Sequence, residues 1–507
     1  METLFSLLGL IIPSLIFLAV GVLALKHLPN NPIDFLYGIA AKKQFKSSRF
    51  TRWIRILSIA ATNLSVLSAI IYLIDGGAKQ GYLILLIPIA LIVGYYWLRR
   101  ALDKANKDGS LTSAASGGML LSINKGASAK TPSSFAKTLT GCWVVVYVLF
   151  AFYELVICGK LISPLVGFQA SSTGEFVVAG FIFLIGLIYS QIGGMRSVAR
   201  TDFFQILIGT GAILFLIVWP WVDNSQQTVP SDYFLLPSSV SPFFLLVAVV
   251  GAIATQFYNP YNWHSASMII DPSNTGEQNQ KENSIVLNRA AILSAILLAA
   301  LGITGMEVSS RAYPAPTFGL IDSIANAGNS FAKFIVVAGL FSLTISTLDS
   351  LMIALASSLY QSYVRNRSNP STDEKLDLLQ IRIFLLVLYC AGFLALVGFY
   401  FLVPPQRVID VLLTIVSGVA ILFPFLLLAM KLYQKGQLIL LTNRVVHTFL
   451  LLFVLCWVAS TAALFTMPTL YDKVPPAFLL IAVIYSYFIY QKSDSPPNVN
   501  SQPTGGR

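Results

Sequence analysis

Residues 331 to 360 form a long apolar segment with a polar band at its centre, Leu340-Phe341-Ser342-Leu343-Thr344-Ile345-Ser346-Thr347-Leu348-Asp349-Ser350. A segment of this length exceeds the roughly 20 residues that carry a helix across a bilayer, and within lipid each polar side chain needs a partner while an ionisable one points to function. On a helix Leu343, Ser346 and Thr347 fall at i, i+3 and i+4, so one carbonyl and two hydroxyls share a face, and Asp349 lies three residues beyond Ser346. Neutral oxygens clustered this way suit a weakly held hard cation. The same hydroxyls can instead bond back to their own helix or to a neighbouring one. The residues alone leave both readings open.

Similar apolar runs recur along the whole chain. With 56% of its 507 residues hydrophobic and 11% charged, the chain reads as a polytopic, all-α membrane protein rather than a soluble one. Strand alternation is absent, so a barrel is not expected. The net charge of +11 resides in short loops, where a membrane protein carries it on the cytoplasmic side, and implies no nucleic-acid partner. Cys142, Cys158, Cys390 and Cys456 lie in apolar runs without metal-ligand spacing, and His27, His264 and His447 are scattered, so no metal centre other than a sodium site is expected.

Thirteen spans are predicted: 4–25, 53–75, 81–100, 138–163, 174–195, 199–221, 243–265, 288–306, 331–362, 380–402, 407–431, 444–467 and 474–491. The first lacks the positive leader of a signal peptide and reads as a retained span. Lys42, Lys43, Lys46, Arg49 and Arg52 follow it and belong in the cytoplasm, which puts the N-terminus outside and the C-terminus inside. Loop charge agrees, with Arg99, Arg100, Lys104, Lys107, Arg196, Arg200, Arg365 and Arg367 all falling on the inner side. The Ser/Gly/Ala-rich stretch 105–136 and the tail 493–507 are expected to be irregular or disordered.

Two spans are expected to be interrupted. The second contains Ala60-Ala61-Thr62-Asn63-Leu64-Ser65-Val66-Leu67-Ser68 and ends in Asp75-Gly76-Gly77; the seventh contains Gln256-Phe257-Tyr258-Asn259-Pro260-Tyr261-Asn262. Pro260 removes a helix hydrogen bond, and broken helices at matching places in two halves point to a transporter's binding site. Here they do match. Spans two to six and seven to eleven each make five helices opening with a broken one, and an odd number inverts the second set relative to the first. The division is thus 1–52 with an extra span, repeats over 53–221 and 243–431, two extra spans over 432–492, and the tail.

The stretch Tyr189-Ser190-Gln191-Ile192-Gly193-Gly194-Met195-Arg196, continued through Thr201-Asp202 to Gln205, resembles the signature of the sodium/solute symporter family. Ser346-Thr347-Leu348-Asp349-Ser350, Ala61-Thr62-Asn63-Leu64-Ser65 and Leu422-Phe423-Pro424 match further family patterns. The resemblance implies the LeuT-type inverted repeat and one sodium ion held by the carbonyls of Ala61, Leu64 and Leu343 and the hydroxyls of Ser346 and Thr347. It places Asp202 on the sodium release path, with Asn63 and Asp349 as support. For Asp202 an N-terminal acid facing a helix dipole, with Thr201 as cap, is the competing reading; for Asp349 it is a salt bridge to a loop Arg. Thr255-Gln256 replaces the Tyr-Trp pair of sugar carriers, so a sugar is disfavoured.

The expected function is sodium-coupled import of a small polar organic solute, an amino acid, carboxylate or vitamin-like molecule, through an integral membrane protein of the bacterial inner membrane surrounded by lipid. Solute contacts are assigned to Ser65, Ser68, Gln256, Tyr258 and Asn259. Glu154 either faces the solute route or pairs with Lys160. No organic cofactor is implied, no nucleophile and base pair argues for an enzyme, and oligomeric state is left open. A solute sensor that kept the transporter fold is the alternative function.

Overall fold

The computed structural model describes residues 2–24, 35, 49–107, 133–168, 172–222, 242–258, 261–262, 276–310, 316–360, 363, 374–402, 408–435, 437 and 440–494. All regular structure among them is helical, and ten helices are long and apolar enough to cross a membrane, with shorter apolar helices at Leu245–Phe257 and Ser417–Ala429. The chain is an integral membrane protein by that measure. The stretch 108–132 and the tail from 495 lie outside the described residues, as do Asn259, Pro260 and the segment 263–275.

In chain order the helices are α1 (Glu2–Ala24), α2 (Arg49–Thr62), a π turn (Val66–Ile71) that runs into α3 (Tyr72–Gln80), α4 (Leu86–Lys107), α5 (Ser133–Leu165) and α6 (Ser172–Val222). They continue as α7 (Pro242–Tyr258), α8 (Gly276–Ser310), α9 (Pro316–Asn326), α10 (Ser330–Leu359), α11 (Glu374–Leu402), α12 (Val408–Gln434), α13 (Asn443–Thr466), α14 (Pro468–Tyr471) and α15 (Val474–Asp494).

The polar band sits on α10, which is the most enclosed element. Every residue from Val336 to Ser358 is buried, and the helix packs on α6, α1, α5, α11 and α2. Its start is fixed by Asn329, whose side chain accepts the Phe331 and Ala332 amides at 3.1 and 3.1 Å, satisfying two donors that a helix N-terminus leaves open.

At 51 residues α6 would be about 75 Å long if straight, more than twice a bilayer's hydrocarbon thickness. It divides instead at Gly194, whose φ of 55° and ψ of −150° are not helical. A side chain there would be strained, and a Cβ would also lie 2.4 Å from the Phe35 carbonyl oxygen. Ser197 compensates the break, donating to the Gly194 carbonyl at 2.8 Å and the Tyr189 carbonyl at 3.2 Å.

Helix α8 begins at Gly276, well before the expected 288. The added turns are polar, and Glu282 within them receives two hydrogen bonds from Arg52, at 2.6 and 2.8 Å. A bidentate pair of this kind anchors the extension to the start of α2. Helix α9 was not anticipated either, being too short to read as a span.

Because lipid supplies no hydrophobic force between helices, close approach of small residues carries much of the packing. Helices α3 and α8 meet through glycines. A Cβ on Gly77 would stand 2.1 Å from the Gly302 carbonyl oxygen, and one on Gly305 would stand 2.0 Å from that of Ile74. Both obstacles are backbone, which cannot rotate away. Gly77→Ala and Gly305→Ala are each expected to destabilise by about 1–3 kcal/mol, read as a lower thermal unfolding midpoint in detergent; midpoints equal to the native one would contradict this packing.

Candidate functional site

Helix α2 ends at Thr62, and at that point the amides of Asn63 and Leu64 turn back to the Ala60 and Ala61 carbonyls at 3.1 and 3.0 Å. The chain resumes helical geometry at Val66. This is the interruption expected between Ala60 and Ser68, and it leaves the first amides of the second half without carbonyl partners from a preceding turn.

The Val66 amide is taken by Glu154 of α5, whose Oε1 accepts it at 2.8 Å. The Ser65 and Thr347 hydroxyls lie within hydrogen-bonding reach of the same carboxyl group. Glu154 is 0% exposed. Its expected alternative, pairing with Lys160, is overturned, since Lys160 lies 3.9 Å from Glu175 across the α5–α6 connection.

A second carboxylate lies on the other side of the break. Asp202 of α6 is likewise 0% exposed. Ser58 of α2 donates to its Oδ2, Ser346 of α10 donates to Oδ1 at 3.1 Å, and the Tyr261 hydroxyl reaches Oδ2 at 3.3 Å. Ser58 and Tyr261 are themselves 2.9 Å apart. Thr201 bonds back to the Ser197 and Val198 carbonyls at 3.1 and 2.9 Å, so it does not cap a helix start, and Asp202 is held by hydroxyls rather than by a helix end.

Asp202 ties the broken helix to α10 by linking Ser58 to Ser346, and Glu154 holds the Val66 amide at the break with the Ser65 and Thr347 hydroxyls beside it. Ala61 and Leu64, both 0% exposed, fall between these two anchor points on the chain. Within α10, Thr347 also donates to the Leu343 carbonyl at 3.1 Å. Of the two readings left open for the band, Thr347 thus satisfies the back-bonded one while Ser346 turns outward to Asp202.

A hydrogen-bond chain joins the two expected breaks. Asn63 donates to the Tyr95 hydroxyl of α4 at 2.8 Å and to Ser294 of α8 at 3.2 Å. Tyr95 donates to Asn262 at 3.3 Å, and Asn262 reaches back to the carbonyl and side-chain oxygens of Gln256 at 3.0 and 2.9 Å. Gln256 is therefore engaged within the protein. Tyr258 is the last residue of α7, Ser68 lies in the π turn, and Asn259 falls outside the described residues.

Asp349 is buried and, among the described residues, pairs with no Arg. Its surroundings are Ser350 and the Tyr389 hydroxyl of α11. In the first turn of α3, Asp75 accepts the Thr317 amide and hydroxyl at 2.9 and 2.6 Å, fastening α9 to it. The signature residues around the α6 bend serve packing as well, Gln205 donating to the Tyr189 hydroxyl at 3.2 Å and Ser190 lying 3.2 Å from that of Tyr389. A groove of about 550 Å³ between α7, α12 and α15 is lined almost wholly by apolar side chains and holds none of these residues.

No protein-family model matches the chain, and no curated protein matches it in sequence. Solved structures do match in fold. A Na+-coupled sialic acid symporter in a substrate-bound outward-open state superposes with a TM-score of 0.61 at 16% identity, covering 96% of this chain and 98% of that one. A manganese transporter from Eremococcus coleocola, solved with an aromatic bis-isothiourea compound, gives 0.54 at 15% identity, covering 91% and 99%. At these identities the likeness is one of fold, a fold that transporters use.

Removing a carboxylate that serves three hydroxyls leaves buried donors without their acceptor. Asp202→Ala is expected to lower stability by about 1–3 kcal/mol, and Asp202→Asn, which keeps one acceptor oxygen, by less. Denaturation of both variants in detergent checks the order, and an Asp202→Ala protein as stable as the native one would contradict the network.

Proposed function

We propose that the chain is a sodium-coupled secondary active symporter of the sodium/solute symporter type, importing a small polar organic solute by alternating access across a bacterial inner membrane. In this reading it has thirteen spans, an external N-terminus, and inverted repeats over 53–221 and 243–431. The observation that carries it is the pair of buried carboxylates at the broken helix, Asp202 bridging it to Ser346 of α10 and Glu154 holding the Val66 amide with the Thr347 hydroxyl beside it. As sodium ligands we assign the carbonyls of Ala61, Leu64 and Leu343 and the hydroxyls of Ser346 and Thr347, on the two elements that Asp202 links. The fold shared with two transporters supports the same reading.

Neutral oxygens hold sodium without trapping it, and the nearby negative charge favours a cation entering the site. Sodium bound between α2 and α10 draws the two halves together. By reciprocal linkage, if bound sodium raises the solute's affinity by some factor, bound solute raises sodium's affinity by the same factor. The inward membrane potential adds about 2.3 kcal/mol per charge per 100 mV, a several-tenfold accumulation before the sodium gradient is counted. Ser65, Ser68, Gln256, Tyr258 and Asn259 around the two breaks form the solute site, and the chain Asn63–Tyr95–Asn262–Gln256 couples one break to the other.

Thr347→Ala removes one sodium ligand and leaves the helix intact. It is expected to raise the sodium concentration needed for half-maximal solute uptake in proteoliposomes by about tenfold, equivalent to ~1.4 kcal/mol. Uptake with native sodium dependence would sink the site. Sodium-dependent binding without accumulation in sealed vesicles would favour a sensor instead.

A further inference from the structure

Half-helix N-termini buried in a membrane protein are ready seats for an anionic group, because their amides point at it and their dipole favours it. In this chain the helical stretch that resumes at Val66 has such an end, and the seat is already taken. Glu154 occupies it through Oε1, 2.8 Å from the Val66 amide. Its other oxygen, Oε2, is buried and has no hydrogen-bond partner among the described residues. No Lys, Arg or His among them pairs with the carboxylate, and the nearest candidate along α5, Lys160, is engaged by Glu175.

A buried carboxylate with a vacant oxygen and no counter-charge is an expensive arrangement to keep. Each possible occupant answers that vacancy differently. An anionic solute would meet the internal carboxylate where it needs the amide, and would be repelled. A proton on Oε2 would cancel the charge but place a buried O–H where the described residues show no bonded partner. An ammonium or guanidinium group would supply both the missing charge and the missing donor. From this we propose that the solute carries a positively charged nitrogen and that Glu154 is its counter-ion, with the Ser65 hydroxyl beside it. The inference rests on the symport reading only for the location of the solute site at the broken helix.

The test is a thermal-shift titration of the purified full chain in lipid nanodiscs, with saturating sodium or equimolar potassium, against three classes of probe. Agmatine, putrescine and choline form the cationic class, succinate and pantothenate the anionic class, and myo-inositol the uncharged one. A cationic probe is expected to give the largest stabilisation. Glu154→Gln should weaken its apparent affinity by about tenfold or more, while Glu154→Asp, which keeps the charge on a shorter arm, should retain the preference for cations. Stabilisation led by an anionic or uncharged probe would overturn the proposal, as would unchanged affinity in Glu154→Gln or no response to any cationic probe. If Glu154→Gln does not fold, the ranking on the native chain and the Glu154→Asp titration decide. Sodium alone is titrated in parallel. Cation binding without a sodium response would remove the symport reading and leave the counter-ion standing.

Discussion

The structure turns on how a carboxylate survives in the interior of a membrane protein with no basic residue beside it. Transfer of an isolated carboxylate out of water costs many kcal/mol, and only donors arranged around it recover that cost. Asp202 is met by hydroxyls from three separate segments, Ser58, Tyr261 and Ser346. Glu154 is met by a backbone amide exposed by a broken helix. In each case the donors come from elements far apart in sequence, so satisfying the acid and assembling the bundle are one event. Helix α10 becomes the centre because Asp202 bonds to it and Glu154 lies beside its Thr347.

A helix that continued without interruption through residues 63–65 would have bonded the Val66 amide internally and left Glu154 with nothing to hold. The break, the acid and the hydroxyl band of α10 thus depend on one another structurally. The chain Asn63–Tyr95–Asn262–Gln256 extends the dependence to the end of α7. Glycine contacts between α3 and α8 fasten the half-helix beyond the break to a neighbour at backbone distance, as Arg52 and Glu282 fasten the half before it to the same helix.

Much of this was legible in the sequence where a residue type conflicts with its surroundings. Ser346, Thr347 and Asp349 stand out because they are polar within an apolar run, and the interruption at Asn63 to Ser65 stands out for the same reason. The bend of α6 was foreseen as a junction between two spans, with Gly194 inside the motif that marked it. What could not be read were pairings fixed by docking. Thr317 lies 242 positions from Asp75, and nothing local tells that they meet. Lys160 looked like a partner for Glu154 because it is the basic residue toward the outer end of the same span; the α5–α6 turn brings Glu175 to it instead. Tyr95, Tyr261 and Asn262 were overlooked because a tyrosine or asparagine beside a break looks the same whether it packs, bonds or binds. Their hydroxyl and amide groups become informative only once the acceptors opposite them are known.

The central claim is that the carbonyls of Ala61, Leu64 and Leu343 and the hydroxyls of Ser346 and Thr347 form a seat for sodium. Equilibrium binding of radioactive sodium to the purified chain, at constant ionic strength, examines that claim without knowledge of the solute. Saturable binding that unlabelled sodium displaces and potassium does not is the predicted result. Binding that is absent, or that potassium displaces equally well, would contradict it.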